Sequence, residues 1–402
     1  MTCLFPSAGF HLYTYHCLMP KYDYLIVGSG LFGATFAHLA TRRGLRCLVI
    51  DKRPHAGGNV YQDTIEGIAV HTYGAHIFHT SDRAVWDFVC GLTPFNRFTN
   101  APVANYKGRL FNLPFNMNTF HQLWGVTTPA EAEAEIERQK AEAVARLEGR
   151  QPTNLEEQAL TLVGHDIYEI LIKEYTEKQW GRPCTALPAF IIRRLPVRLV
   201  YDNNYFNDLY QGIPTEGYNA LIDRLLEGSD VQLATDFFKS PYRDWRATAR
   251  QLVYTGPLDR YFNYDLGRLD WRTVTFRTRM EDTPNYQGNA VVNYTSAEVP
   301  YTRVIEHKHF TCFGSEVYAN PRTVVSEEYS AEYHEGAEPY YPVNDERNDA
   351  LAAAYRDRAA REQDVVFGGR LAQYRYYDMA PVIAEAISRF AGLHSECATS
   401  NI

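Results

Sequence analysis

The chain has 402 residues, a hydrophobic share of 45% and a formal net charge of −8. This length allows a large core and more than one domain. The acidic balance argues against general affinity for nucleic acid or an anionic membrane, and no apolar run approaches the ~20 residues of a membrane-spanning helix. Seven scattered cysteines without a C-x-x-C pair argue against a disulfide framework and a zinc site. We therefore expect a cytoplasmic protein without a metal.

The first segment, residues 1–20, is mildly apolar and reads MTCLFPSAGFHLYTYHCLMP. It lacks the basic start of a signal peptide and contains two histidines. We interpret it as a disordered extension that precedes the first strand.

The clearest pattern follows directly, in YDYLIVGSGLFGATFAHLATRRGLRCLVIDKR. A buried strand leads into G-x-G-x-x-G (Gly28, Gly30 and Gly33), then into a helix and a second strand that ends at Asp51. The first glycine permits a tight turn, the second lets a pyrophosphate approach the backbone, and the third lets the helix pack on the strand. The helix N-terminus attracts phosphate, and Asp51 lies where a ribose hydroxyl is bound. The pattern predicts a Rossmann-like dinucleotide-binding unit.

A second glycine-containing unit lies near the C-terminus, in VVFGGRLAQYRYYDMAPVIAEAI. It reads as a buried strand, two glycines, an acid and a helix that begins near Asp378. Near the other end, Gly57 and Gly58 let the chain pass close to an elongated cofactor. Two cofactor-contacting segments at opposite ends of the chain favour FAD over NAD. The simpler alternative is a final β-α unit without a cofactor role.

The middle of the chain predicts two further domains, interleaved with the first. TPAEAEAEIERQKAEAVARLEG and TNLEEQALTLVGHDIYEILIKEYTEKQWG are rich in helix-forming residues, whereas the flanking segments carry the Tyr, Val and Thr typical of strands. The predicted fold is α/β. Its parts are a discontinuous FAD-binding Rossmann-like domain (21–80, 216–260 and 345–390), a helical substrate or dimer domain (111–195) and an antiparallel sheet domain (81–110, 196–215 and 261–344).

One cation-rich stretch, VPYTRVIEHKHF, is unusual in this acidic chain. It places Arg303, His307, Lys308 and His309 close to aromatic residues. Two interpretations are open: a solvated sheet edge, or a site for a ligand with negative charge and flat rings. Because two histidines are too few ligands for a metal site, we expect them to have a structural role.

Eight motifs, in chain order, resemble those of bacterial UDP-galactopyranose mutases: YGAHIFHT, YTEKQWG, RRLPVR, DNNYFND, YQGIPTEGY, VVNYTSAEVPYTRVIEHKHF, PYYPV and GGRLAQYRYYDM. The resemblance runs from about Tyr22 to about Ile387. It implies a flavoenzyme that interconverts UDP-galactopyranose and UDP-galactofuranose without net redox change. In that family N5 of reduced FAD attacks the anomeric carbon, UDP leaves, and a flavin–sugar iminium forms before the ring opens and recloses. The implied fold combines a Rossmann-like FAD domain, a helical domain and a six-stranded antiparallel sheet, usually in a homodimer.

The resemblance also implies roles for single residues. Arg194 and Arg303 match two arginines that contact the diphosphate, and His76 matches a residue beside the flavin, so we expect these three to be catalytic. A guanidinium suits the diphosphate because it can hold two phosphate oxygens and stays charged. The other substrate-binding matches are Leu171, Tyr175, Trp180, Tyr205, Asn293, Tyr341 and Tyr376. The cofactor-binding matches are Gly28, Ser29, Gly30, Phe32, Gly33, Asp51, Lys52, Gly58, Asn59, His76, Ile77, Arg370, Tyr377, Asp378 and Met379.

This sequence departs from the family pattern before YTEKQWG. Leu171 and Ile172 stand where the family often has aromatic residues, so stacking on uracil depends more on Tyr175. In PYYPV, Tyr340 is an alternative to Tyr341 because the register is hard to fix.

Neighbouring residues compete for two other roles. Arg193 and Arg198 are alternatives for the first diphosphate contact. Within HTYGAHIFHT we expect His71 and His79 to pack in the core, whereas His76 lies beside the flavin.

Two other functions stay open. One is an FAD-dependent oxidoreductase of the amine-oxidase type, which would need an apolar substrate cavity. The other is a nucleotide-sugar-binding flavoprotein without turnover. The expected partners are the two UDP-sugars, UDP and a second copy of the chain, with no nucleic acid and no membrane insertion. The expected reductant is NADH, NADPH or, in vitro, dithionite.

Overall fold

The fold is that of a computed structural model, which describes residues 20–192 and 196–395. The predicted extension therefore lies almost wholly outside the described residues, and so does Arg194. In the part of the chain that is described, no helix is both long and apolar enough to cross a membrane.

Strands and helices are distributed over the whole described chain. The strands are β1 (Tyr22–Val27), β2 (Cys47–Ile50), β3 (Gln62–Ile65), β4 (Ile68–His71), β5 (Phe78–Thr80), β6 (Val103–Tyr106), β7 (Arg109–Asn112), β8 (Tyr210–Gly212), β9 (Asp230–Gln232), β10 (Ala249–Tyr254), β11 (Trp271–Glu281), β12 (Val291–Tyr294), β13 (Arg303–Glu306), β14 (Thr323–Glu332), β15 (Tyr341–Pro342) and β16 (Val365–Phe367). The helices are α1 (Leu31–Thr41), α2 (Arg83–Leu92), α3 (Met117–Trp124), α4 (Pro129–Arg146), α5 (Leu155–Val163), α6 (His165–Ile167), α7 (Lys173–Trp180), α8 (Gly217–Leu226), α9 (Leu258–Tyr261), α10 (Glu346–Ala359), α11 (Gly369–Gln373) and α12 (Met379–Ser395).

The first layer is a five-stranded parallel sheet in the order β16-β10-β1-β2-β9. In β1, Tyr24 is paired with Cys47 on one side and with Gln251 on the other. Strands of a parallel sheet are buried on both faces, which is why β1 and β2 are largely apolar runs rather than alternating ones. Helices α1, α8 and α12 pack together on one face around Phe36 and Ile383. This arrangement confirms the predicted Rossmann-like fold.

The second layer is a seven-stranded sheet in the order β15-β11-β14-β13-β12-β6-β7. Its longest pairing is antiparallel and joins β11 to β14. Strands β12 and β6, however, run parallel, with Asn293 opposite Ala104. The expectation of six antiparallel strands is therefore corrected to a seven-stranded mixed sheet. The difference arises because β6, from a distant part of the chain, joins β12 in the same direction and brings its hairpin partner β7 with it.

Helices α3 to α7 form a third unit around Phe120 and Leu155. Helix α4 begins with a capping box between Thr128 and Glu131, which satisfies amides of the first turn. Between α6 and α7, Tyr168–Ile172 form a π-helical turn whose apolar side chains are buried in this core.

Residues 81–110 were predicted to belong to the antiparallel sheet domain, but they begin with helix α2. Asp82 caps its N-terminus by accepting from the backbone amides of Ala84 and Val85. Val85 and Val89, one turn apart, pack in the same core as α1 and α12. Helix α2 therefore packs with the Rossmann layer, whereas β6 and β7 join the mixed sheet.

Candidate functional site

A cleft of about 1220 Å³ lies where the parallel sheet, the mixed sheet and α7 meet. The carboxyl ends of β1 and β10 are followed by wall residues Gly28 and Thr255. The mixed sheet supplies Arg303 and Glu328, and α7 supplies Tyr175. Ligands of open α/β sheets bind beyond the carboxyl ends of the strands, so this cleft has the position expected for a dinucleotide.

Most of the site residues predicted from the sequence lie on this one cleft. Its wall includes Gly28, Gly30, Phe32, Gly33, Asp51, Lys52, Gly58, Asn59, His76, Ile77, Tyr175, Trp180, Tyr205, Asn293, Arg303, Tyr341, Arg370, Tyr376, Tyr377, Asp378 and Met379. Ser29 is fully buried behind the turn instead. Leu171 is packed in the core of the helical unit, because the π-helical turn directs it inward, and it does not join the wall. Arg194 lies outside the described residues.

Close approaches of the backbone explain the glycines after β1. Gly28 has a φ of +103°, and a Cβ there would lie 2.0 Å from Thr255 Oγ1. A Cβ at Gly33 would lie 2.0 Å from the carbonyl oxygen of Gly28, which would force α1 away from β1. A Cβ at Gly30 would approach only the Cα of Gly58, at 3.8 Å. Gly30 therefore presents bare backbone to the cleft.

Helix α1 begins directly at this turn. Its N-cap is Gly30, and no side chain caps the first amides. Unpaired amides and the partial positive charge of a helix start form an anion site. Asp51 stabilises the turn from below, since its Oδ2 accepts from Ser29 N at 2.8 Å and from Ser29 Oγ at 2.6 Å. The turn can thus hold a pyrophosphate.

A second glycine segment borders the same cleft. The ring of Phe32 lies against Gly368, where a Cβ would stand 1.9 Å from Phe32 Cζ. Arg370 Nη2 donates to the carbonyl oxygen of Tyr340 at 2.7 Å and so links α11 to the mixed sheet. Helix α12 starts at Met379 on the cleft wall and packs along α1. An early segment and a late segment of the described chain therefore border the same cleft, as an elongated cofactor would require.

On the mixed-sheet side, Arg303 is held between a carboxylate and a phenol. Its Nε lies 3.1 Å from Glu328 Oε1 on the adjacent strand, and its Nη2 donates to Tyr175 Oη at 3.0 Å. Burial lowers the pKa of Arg303, but the Glu328 carboxylate, Tyr175 and Tyr341 together more than offset burial, so the net pKa is raised. Burial raises the pKa of Tyr175 to about 12. At neutral pH the wall therefore carries a fixed cation beside a protonated phenol.

Asn293 is paired with Arg303 across strands β12 and β13. Its Oδ1 is buried and has no hydrogen-bond partner among the described residues. Such an acceptor costs about 1–3 kcal/mol, which a ligand donor would recover. On the same wall the rings of Tyr341 and Tyr376 lie 5.8 Å apart, and Tyr376 Oη donates to Asp378 Oδ1 at 3.3 Å. This polar wall suits a charged ligand with hydroxyl groups.

Both candidates of the PYYPV motif line the cleft. Tyr341 belongs to β15 and is half-buried, with its ring near Tyr376. Tyr340 is only 5% exposed, and its carbonyl oxygen is bound by Arg370. The more accessible Tyr341 stays the predicted phosphate contact.

His76 lies on the wall in front of two other histidines. Its Nδ1 donates to the carbonyl oxygen of Gly74 at 2.6 Å, which leaves Nε2 as an acceptor. Burial lowers its pKa to about 4. His71 Nδ1 accepts from the His76 amide at 3.1 Å, and His307 Nδ1 accepts from the His71 amide at 3.2 Å. Neutral imidazoles thus hold the backbone of this loop in place.

The other cations of the VPYTRVIEHKHF stretch turn away from the cleft. Lys308 is 2% exposed and donates to three carbonyl oxygens at 2.8–3.1 Å. His309 Nε2 lies 3.2 Å from the buried Glu306 Oε2. Among residues 20–192 and 196–395, no group of three or more His, Cys, Asp or Glu side chains is placed to hold a metal ion. Of the two interpretations, the solvated sheet edge is wrong, since Lys308 is buried and Arg303 faces the cleft.

Glu328 and His79 are among the wall residues that the sequence-based prediction missed. Glu328 is only 5% exposed and lies in the buried part of β14. An acidic residue within a largely buried strand is the sequence feature that could have identified it. His79, expected to pack in the core, instead lines the cleft. Its Nδ1 lies 2.6 Å from Asp208 Oδ2, its ring stacks on Phe206 at 3.6 Å, and its Nε2 lies 4.0 Å from Asp378 Oδ2.

Comparison with known proteins gives matches over both halves of the cleft. Residues 170–376 match the family model of UDP-galactopyranose mutase, and residues 26–92 match that of an NAD(P)-binding Rossmann-like domain. A crystal structure of reduced UDP-galactopyranose mutase has the same fold, with a TM-score of 0.68 at 15% identity. The similarity covers 93% of this chain and 95% of that one.

Relatives with closer sequences span nearly the whole chain. A probable UDP-galactopyranose mutase of Klebsiella pneumoniae is 38% identical over 374 residues, which cover 92% of this chain and 94% of the relative. A dTDP-fucopyranose mutase of Escherichia coli is 37% identical over 375 residues, which cover 90% and 96%. The family match and the extent of these relatives lead to one conclusion: the chain belongs to the UDP-galactopyranose mutase family.

Proposed function

We propose that this enzyme interconverts UDP-galactopyranose and UDP-galactofuranose, with reduced FAD as its cofactor and with no net redox change. The observation that carries the proposal is the placement of Arg303. Its guanidinium is fixed 3.0 Å from Tyr175 and 3.1 Å from Glu328, on a wall of the cleft that the glycine turn after β1 also borders. A cation fixed at this place can stabilise charge that develops on a departing diphosphate.

The Rossmann layer fits FAD. The bare backbone of Gly30 and the uncapped start of α1 suit a pyrophosphate, and Asp51 on the cleft wall is assigned to the ribose hydroxyls. The start of α12 supplies a second helix N-terminus on the cleft. The volume of about 1220 Å³ exceeds the ~300–1,000 Å³ of an ordinary small-molecule site, which suits a cofactor and a nucleotide sugar together.

The chain's own residues bind and orient the sugar nucleotide. When bound and reduced, FAD supplies an electron-rich nucleophile for the anomeric carbon. Arg303 holds the diphosphate and stays protonated because Glu328 raises its pKa. Asn293 Oδ1 accepts from a hydroxyl of the ligand, and the phenols of Tyr341 and Tyr376 donate to phosphate oxygens.

The nucleotide side is assigned to α7 and its surroundings. Tyr175 and Trp180, at the two ends of α7, line the wall where uracil would pack. Tyr205 and Arg194 complete the contacts to the phosphates in this proposal. His76 stays neutral at pH 7 because burial lowers its pKa to about 4, so its Nε2 accepts a hydrogen bond from the bound flavin or sugar.

A second candidate substrate is dTDP-fucopyranose. The Escherichia coli relative with that name is 37% identical to this chain, against 38% for the Klebsiella pneumoniae relative. Both substrates carry the diphosphate that Arg303 would bind. They differ in the base, the ribose and the sugar C6 hydroxyl, so a direct comparison of the two substrates decides between them.

The test is an incubation of the purified enzyme with UDP-galactofuranose and dithionite, followed by chromatography of the sugar nucleotides. Formation of UDP-galactopyranose without consumption of reductant is the expected result. An oxidised sugar would indicate an FAD-dependent oxidoreductase, and binding of UDP without turnover would indicate a nucleotide-sugar-binding protein. Oxidised enzyme should be nearly inactive, and NADH or NADPH should replace dithionite as reductant.

The proposal includes a cytoplasmic homodimer, as the resemblance implies. Val200, Tyr201 and Leu209 are 56%, 59% and 76% exposed, and they offer apolar surface for a subunit contact. Light scattering of the holoenzyme at micromolar concentration should give the mass of two chains, and the mass of one chain would contradict this part.

A further inference from the structure

Helix α7 is tied to the mixed sheet by a cation that does not line the cleft. Lys178 is half-buried and lies three residues after Tyr175 on this helix. Its Nζ donates to four carbonyl oxygens, with three N–H groups shared among them. The acceptors and distances are Tyr294 (2.7 Å), Ser296 (2.7 Å), Val299 (3.2 Å) and Tyr301 (3.0 Å).

These carbonyls belong to the loop that connects β12 to β13 and therefore leads directly to Arg303. A second contact from the same helix face supports the loop, because Glu174 Oε2 accepts from the Ala297 amide at 2.6 Å. The last residue of the loop, Thr302, donates its amide to the carbonyl oxygen of Glu328 at 2.8 Å. The path of the chain into β13 is thus fixed around Lys178 and Glu174.

The end of α7 is held separately. Arg272 Nε donates to the carbonyl oxygen of Gln179 at 3.1 Å, and Arg272 Nη1 lies 2.7 Å from Glu332 Oε1. Arg272 already fixes the last turn of α7 beside Trp180. The contacts of Lys178 therefore mainly determine the position of the loop before β13, and with it the position of Arg303 relative to Tyr175.

We propose that Lys178 is a positioning residue, which sets the Tyr175–Arg303 contact by binding the loop before β13. The inference rests on the proposed function, since it assumes that Arg303 binds the diphosphate of the nucleotide. Without the ammonium, four carbonyl oxygens lose their donor and the loop relaxes toward water. A displacement of Arg303 by about 1 Å would lower kcat/KM by up to ~100-fold.

The chain offers a matched control in Lys308. Its ammonium is also buried against backbone carbonyls of the sheet domain, those of Pro284, Val317 and Asn320. Lys308, however, binds loops remote from α7 and does not line the cleft. Lys178→Met and Lys308→Met therefore remove the same kind of contact at two places.

The experiment compares these two holoenzymes with the wild type. It measures thermal melting, FAD content, the Kd of UDP by calorimetry, and KM and kcat of the reduced enzyme. Both variants should melt earlier and retain FAD. Only Lys178→Met should weaken UDP binding, by ~10-fold or more. In the double variant Lys178→Met/Tyr175→Phe, the loss of UDP affinity should be smaller than the sum of the two single losses, because both substitutions act on the Tyr175–Arg303 contact.

Equal UDP affinity in Lys178→Met and Lys308→Met, or full additivity with Tyr175→Phe, would overturn the inference while leaving the proposed function intact. If the wild type binds no UDP, the proposed function itself fails and the inference with it. Should Lys178→Met not yield folded holoenzyme, Glu174→Ala removes the neighbouring contact to the same loop. It should raise the Kd of UDP by about 3-fold, and wild-type affinity in that variant would also overturn the inference.

Discussion

Arg303 and Glu328 face each other across adjacent antiparallel strands, with Arg303 Nε 3.1 Å from Glu328 Oε1. Thr302, the preceding residue, donates its hydroxyl to the same carboxylate oxygen at 3.2 Å. The guanidinium is therefore oriented before any ligand arrives. Because this orientation requires no rearrangement on binding, the cation is preorganised for an anion.

The first prediction concerns Arg303. Arg303→Ala should lower kcat/KM of the reduced enzyme by ~100-fold or more, because a charge-assisted contact to the diphosphate is lost at the transition state. Arg303→Lys should recover little, since an ammonium cannot make the two-pronged contact. Steady-state kinetics, with FAD content and thermal melting measured beside them, check the prediction.

Arg146 provides the control for this variant. It lies at the end of α4, its side chain is 71% exposed, and it is paired with Glu142 on the same helix. Arg146→Ala should change neither kcat/KM nor melting appreciably. Near-normal turnover of Arg303→Ala with FAD bound would show that the phosphate site lies elsewhere.

The second prediction concerns Glu328→Gln. The variant leaves the partly buried guanidinium of Arg303 without its carboxylate, which destabilises the ligand-free protein. A bound diphosphate would replace the missing negative charge. UDP should therefore raise the melting temperature of Glu328→Gln more than that of the wild type, as differential scanning fluorimetry can measure. An equal or smaller shift would mean that the diphosphate does not reach Arg303.

The third prediction concerns the cofactor. A Cβ at Gly30 would meet no protein atom closer than 3.8 Å, so Gly30→Ala should fold normally. The added methyl would occupy space at the turn where the pyrophosphate approaches the backbone. The variant should purify with much less FAD than the yellow wild type, measured as flavin absorbance relative to protein. Gly91→Ala, on an exposed helix position with no atom within 4 Å of the new Cβ, is the control.

The fourth prediction concerns the pH dependence of stability. Burial lowers the pKa of His307 from 6.5 to about 3. Since the folded pKa is depressed, the neutral side chain contributes stability above pH 6.5 that is lost as the pH falls toward the folded pKa. The full loss amounts to about 5 kcal/mol for this residue.

Urea unfolding at a series of pH values checks this point. Between about pH 6 and pH 4, the free energy of unfolding should fall less steeply in His307→Gln than in the wild type, by about 1.4 kcal/mol per pH unit. The control is His165→Gln, at an exposed position at the start of α6, and it should leave the slope unchanged. An identical slope in His307→Gln and wild type would place the acid-sensitive group elsewhere.

The glycine turn after β1 could be predicted because its constraints are local. Gly28 and Gly33 are required by neighbours in the same β-α unit or by Thr255 beside it, and the pattern of strand, turn and helix is visible in the sequence. The same reasoning found the start of α12 near Asp378.

Contacts between distant segments escaped prediction for the opposite reason. Glu328 acquires its role from Arg303 on another strand, and Lys178 acquires its role from a loop more than a hundred positions away. Helix α2 was assigned to the sheet domain because the sequence does not show that Val85 and Val89 face α1. Leu171 was expected at the nucleotide because it lies just before a substrate-binding motif. The motif does not show that a π-helical turn points this side chain into the core.

The order of strands in the parallel sheet also has a consequence for the making of the protein. Strand β1 pairs with β10, β10 pairs with β16, and α1 packs along α12. While ribosomes are still translating the middle of the chain, β1 and α1 have been made but their C-terminal neighbours have not. Such non-local pairings form late and slowly. The nascent protein therefore passes through a period without a complete cofactor site, during which β2 already covers one edge of β1 but the edge that β10 will cover stays unpaired.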